Sequence, residues 1–126
     1  DVAESSGTLD IAAGMSAAWG DYDNDGLFDI YVSNMFSSAG NRIAKQARFL
    51  ANEDTTTRDL FVRHARGNSL FHNLGPGKGF EDVSVSAAVT QGRWAWGSAF
   101  ADFNNDGWQD LIVANGFITQ EDTGDL

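Results

Sequence analysis

The chain of 126 residues has no cysteine, one proline and 8 basic residues against 18 acidic ones. Without cysteine there is no disulfide, no thiol nucleophile and no thiolate-held zinc. No apolar run approaches the ~20 residues that cross a bilayer as a helix. A net charge of −10 argues against general nucleic-acid binding, which needs a basic face. No Gly-x-Ser-x-Gly elbow and no convincing nucleophile–base–acid set occurs, so the expectation is a protein that is not an enzyme. The chain starts at Asp1, without an initiator Met or a signal peptide, and reads as a processed product or a piece of something longer.

What is present is acid in a pattern. Asp21-Tyr22-Asp23-Asn24-Asp25-Gly26-Leu27-Phe28-Asp29 returns as Asp102-Phe103-Asn104-Asn105-Asp106-Gly107-Trp108-Gln109-Asp110. In each copy oxygen-bearing side chains hold positions 1, 3, 5 and 9, and Gly holds position 6. A hard cation takes six to eight oxygens at short range, and such a loop supplies them. The expected ligands are Asp21, Asp23, Asp25 and Asp29 with the Leu27 carbonyl for one Ca²⁺. Asp102, Asn104, Asp106 and Asp110 with the Trp108 carbonyl are expected to hold a second. The loops are not EF-hands, because position 12 is Val32 or Val113 instead of Glu and the exit segments are strand formers. The plain alternative is an Asp-Gly hairpin with a solvated acidic rim. Against it, unit charges ~4 Å apart repel by about 1–4 kcal/mol per pair, and neither loop contains Lys or Arg.

Residues 1–36 align without a gap on residues 82–117, and a repeat at fixed spacing marks repeat architectures. Between them, residues 37–67 have helical periodicity: Ile43, Ala47 and Leu50 share one face. A second helix is expected from about Thr55 to Arg66, capped by Asp54 or Thr55 and stopped by Gly67. Strands are expected near 17–21, 28–33, 68–73, 80–85, 95–102 and 111–114, with Asp1-Val2 the tail of an earlier strand. The fold class is therefore mainly β: a partial β-propeller of about one and a half four-stranded blades with an α-helical insertion, read as a single unit over 1–126. A part-blade leaves strand edges open, so the chain is expected to be part of a longer chain or a homo-oligomer.

The loops with their flanks, Ala18-Trp19-Gly20 before and Asp29-Ile30-Tyr31-Val32 after, resemble the FG-GAP/VCBS repeats of integrin-α-type propellers. Met35 to Gly40, His64 to Asn68, Phe80 to Val83 and Trp94-Ala95-Trp96-Gly97 look more specifically like bacterial ASPIC/UnbV-type secreted propellers. The resemblance covers nearly the whole chain. It implies an extracellular or periplasmic, calcium-stabilised scaffold for adhesion or protein–protein recognition, with a lectin-like, carbohydrate-binding propeller as the alternative. The partner, protein or glycan, is not specified by it.

The remaining residues have structural readings beside functional ones. His64 sits near a helix end and His72 alternates along a strand, so both read as structural. Trp19, Trp94, Trp96 and Trp108 are either a sugar-stacking platform or, for most of them, filling between blades, with Trp108, inside the second loop, the one expected to be exposed. Six of the eight basic residues, Arg42, Lys45, Arg48, Arg58, Arg63 and Arg66, lie in the insertion. They form either a solvated face leaning on the acidic body or a docking surface for an acidic partner.

Overall fold

The computed structural model describes residues 1–116; Phe117, the last residue of the second repeat, lies outside them. Alternating apolar and small residues produce six strands. β1 (Gly14–Gly20), β2 (Asp29–Asn34), β3 (Ser69–Asn73) and β4 (Phe80–Asp82) form a four-stranded antiparallel sheet in chain order. β5 (Ala95–Ala101) and β6 (Asp110–Asn115) form a two-stranded antiparallel sheet. The protein is thus mainly β, with two antiparallel sheets and few helices.

The repeat in the sequence is a repeat in register. Gly20 pairs with Asp29 and Ala101 with Asp110, and both ladders carry an irregularity after their first pair, at Gly14/Ser16 and at Ala95/Gly97. Beyond it, Met35 N donates to Ala13 O and Gly116 N to Trp94 O, equivalent bonds in the two copies. The sheets meet through β1 and β5. Ser16 Oγ and Ser98 Oγ lie 3.3 Å apart, and the Tyr31 and Phe100 rings meet edge-on at 6.3 Å. Gly20 is required there, because a Cβ would run into the Phe100 ring. Tyr31, Leu70, Phe71 and Ala95 are buried and form the core; burial pushes the Tyr31 phenol up to about 12.

Between β2 and β3 lie α2 (Ser38–Ala44) and α3 (Thr55–His64). Asp54 caps α3, its Oδ1 accepting from Thr57 N at 2.8 Å. The continuous Ile43–Leu50 face does not form. α2 stops at Ala44, Leu50 takes a left-handed φ of 46°, and Phe49 turns edge-on against Phe61 at 5.7 Å. A short helix persists only where its apolar face packs, and Ile43 stays half exposed. The insertion is tied down by charge instead. Arg63 and Arg66 reach Asp82 at 3.3 and 2.9 Å, and Arg66 also donates to Ser69 Oγ and Ser84 Oγ. Burial alone pushes the Asp82 carboxyl up, but bonds from Ser84 and Arg66 outweigh it and hold the group below its ordinary range.

Three other expectations are corrected. Asp1-Val2 is not in a strand; it leads into the helical turn α1 (Ala3–Ser6). β4 ends at Asp82, not Val85, because Asp82 and Ser84 close a turn in which Asp82 Oδ1 accepts from Ser84 N at 3.1 Å. Trp19, Trp94 and Trp96 do not fill an interior: they are exposed, as is Trp108, the one expected to be. Trp19 meets Phe80 edge-on at 6.4 Å.

Candidate metal centre

Both acidic loops are folded by their own carboxylates in the same way. In the first, Asp21 Oδ1 accepts from Asp25 N and Oδ2 from Gly26 N, both at 3.0 Å, and Asp25 Oδ1 accepts from Leu27 N at 2.8 Å. In the second, Asp102 accepts from Asp106 N and Gly107 N at 3.1 and 2.9 Å, and Asp106 Oδ1 from Trp108 N at 2.9 Å. The ninth residue closes each loop on the second: Asp29 Oδ2 accepts from Tyr22 N and Asp110 Oδ2 from Phe103 N. The bends are alike too, with φ of 57° and 58° at Asn24 and Asn105 and 85° and 87° at Gly26 and Gly107. A side chain is strained at such values, which Asn and Gly tolerate best.

The loops sit side by side. Asn24 Nδ2 donates to Gly107 O at 3.0 Å, and Asp21 N donates to Gln109 Oε1 at 2.9 Å. These bonds join residues more than 80 positions apart, and neither Gln109 nor the Asn24 side chain stands out in the sequence as a site residue.

Their acidic side chains are not equally gathered. In the first loop Asp21, Asp23 and Asp29 bring one carboxylate oxygen each to within 4.8 Å of one another. Asp23, Asp25 and His72 form a second such group. Among the described residues no such group forms at Asp102, Asp106 and Asp110. There Asn104 replaces the carboxylate of position 3, and its Nδ2 donates to Asp106 Oδ2 at 2.9 Å.

Asp29 is fully buried, and a buried carboxylate is tolerable where hydrogen bonds, an ion pair or a metal satisfy it. Its Oδ1 accepts from Asn73 N at 2.8 Å and lies 3.2 Å from His72 Nδ1. Asn73 Nδ2 also donates to Phe28 O at 3.0 Å, so β3 braces the end of the loop. Asp23 Oδ1 is buried without a partner. Burial pushes the Tyr22 phenol up, and Asp23, Asp29, Asp25 and Glu81 push it further, which reports concentrated negative charge. Clustered carboxylates with an orphaned buried oxygen suit a divalent cation, and these residues could hold one.

His72 is therefore no mere strand residue but stands beside the first loop, 3.4 Å from Asp23 Oδ2. His64 keeps a structural role, its Nδ1 bonded to Ile11 O at 2.7 Å. Nothing local in the sequence pairs His72 with a loop more than 40 residues away; the β2–β3 register does.

Residues 56–113 match the family model of the FG-GAP-like repeat. That stretch is similar to an FG-GAP-like repeat. The match runs from α3 through the second acidic loop to Val113; the first loop precedes it. Comparison with curated proteins and with solved structures returns no match. No helix among the described residues is long and apolar enough to cross a membrane.

Proposed function

We propose that this chain is a calcium-binding structural and recognition module of an extracellular β-propeller, an adhesion or protein–protein interaction scaffold without catalytic activity. The observation that carries the reading is the duplicated loop: two copies with one hydrogen-bond scheme, side by side. Asp21, Asp23, Asp25 and Asp29 with the Leu27 carbonyl hold the first ion. Asp102, Asn104, Asp106 and Asp110 with the Trp108 carbonyl hold the second. Each cation offsets the repulsion within its loop and so stiffens the two adjacent hairpin ends. The FG-GAP-like match and the likeness to VCBS and ASPIC/UnbV-type propellers support the propeller assignment and secretion. On this reading residues 1–36 and 82–117 are successive blade portions, about one and a half blades in all, and 37–67 is an insertion.

A lectin-like reading is favoured by one observation: Trp96 and Trp108 are about half exposed, as stacking platforms for sugar rings are. Loss of glycan-array signal in Trp96→Ala and Trp108→Ala would favour it.

Calorimetry tests the primary reading. Two binding events are expected, with dissociation constants of about 10⁻⁴–10⁻³ M. At 100-fold over its constant, each site adds about 2.7 kcal/mol of stability, so EDTA lowers the melting temperature. No heat at several millimolar calcium, and a melt indifferent to EDTA, overturn it.

A further inference from the structure

The two loops share a backbone but not a neighbour. β3 pairs with β2 so that Phe71 lies opposite Ile30, which sets the next residue, His72, beside Asp29. Its Nδ1 is 3.2 Å from Asp29 Oδ1 and 3.4 Å from Asp23 Oδ2. Asp25 joins the group, one donor atom of Asp23, Asp25 and His72 lying within 4.8 Å of the others. Tyr22 holds the imidazole edge-on at 5.9 Å. Among the described residues, no histidine stands beside the second loop.

An imidazole nitrogen that faces two carboxylates needs a positive centre between them. If Nδ1 bears the proton, it donates to Asp29 and the arrangement is self-sufficient. If Nδ1 bears the lone pair, a cation must take the proton's place. Donors on one tetrahedral ion with bonds of ~2.0–2.1 Å are about 3.3 Å apart, close to the 3.4 Å between His72 Nδ1 and Asp23 Oδ2. Octahedral calcium spaces its donors at about 3.4 Å, so spacing does not separate the two ions. The nitrogen does. Calcium takes oxygen ligands, whereas imidazole with carboxylate suits borderline ions such as zinc. Asp23 Oδ1 has no hydrogen-bond partner, on a side chain that is 33% exposed, and so keeps a free acceptor for a cation.

We propose that His72 Nδ1, with the carboxylates of Asp23 and Asp25, makes the first loop a mixed nitrogen–oxygen centre that binds a zinc-class divalent ion in competition with calcium. The second loop, with Asn104 and no imidazole, remains an oxygen-only site. The inference rests on the first loop being a metal site, but not on calcium being its ion.

The test uses the whole chain with Zn²⁺ and Ca²⁺ as separate probes. Imidazole ¹⁵N NMR is followed during a Zn²⁺ titration, with His64 as the internal control. The expected result is a large shift of His72 Nδ1 at one equivalent, with His64 unmoved. In calorimetry, His72→Gln should weaken Zn²⁺ at least tenfold and change calcium binding less than threefold. Should His72→Gln not fold, the ring spectrum of the unaltered protein decides alone. A His72 ring indifferent to Zn²⁺ overturns the proposal even if calcium binds both loops. A His72 shift without any calcium heat upholds the zinc-class centre but removes the calcium reading and with it the competition. If neither ion binds, both fall.

Discussion

Replacing Asp29 by Ala should damage the fold far more than replacing its repeat counterpart Asp110, and the structure supplies the difference. Asp29 is fully buried and accepts from Tyr22 N and from Asn73 N, with His72 also in reach. Asp110 is half-buried and accepts from Phe103 N. A buried donor left without its acceptor loses about 1–3 kcal/mol. Asp29→Ala leaves two part-buried amides without their acceptor, so about 2–4 kcal/mol is expected before any metal contribution. Asp110→Ala orphans one, less shielded from water, and should lose about 1 kcal/mol. Relief of repulsion among Asp21, Asp23 and Asp25 works the other way, but those groups are more exposed and better screened. Urea unfolding followed by circular dichroism in EDTA measures both variants without the metal term. Asp29→Asn, which keeps one oxygen acceptor, should fall between Asp29→Ala and the parent. Equal losses in Asp29→Ala and Asp110→Ala, within about 0.5 kcal/mol, would refute the claim that β3 braces the first loop at a buried Asp29.

Two further outcomes concern the joints of the fold. Gly20→Ala drives a methyl into the Phe100 ring between the sheets and should destabilise by about 1–3 kcal/mol in thermal melts. Gly97→Ala, where a Cβ meets nothing within 4 Å, is the matched control and should change little. Asp82 has its folded pKa held below the ordinary 3.8, so its contribution is present above that value and is lost as pH falls through the folded pKa. Stability measured from pH 5 downward should therefore decline, and Arg66→Ala should flatten the decline by removing a partner of Asp82. An unchanged acid limb in Arg66→Ala would remove the ion pair from the account.

Much of this was legible because it is local. The acidic loops are shaped by bonds between residues two to seven apart, from Asp21 to Gly26 and from Asp29 back to Tyr22, so their nine residues carry their own geometry. The strands follow alternation, and α3 follows from the Asp54 cap and the run to His64. The insertion's lean on the acidic body was one of two readings open in the charge pattern; Arg63 and Arg66 on Asp82 favour it. Helical period misled at Ile43–Leu50, since spacing says where an apolar face would lie but not whether anything covers it. The tryptophans misled for the same reason.

The sequence by itself determined a duplicated acidic hairpin loop, its hydrogen-bonding residues and the equivalent register of its flanking strands, because each depends on neighbours along the chain. Only the tertiary structure decided that the copies differ in burial and in neighbours. Strand pairing across the insertion brings His72 and Asn73 onto Asp29, and sheet contact lays Gln109 and Gly107 against the first loop. Burial, and with it the strength of every charge in the loop, is a property of what the rest of the chain places on top of it.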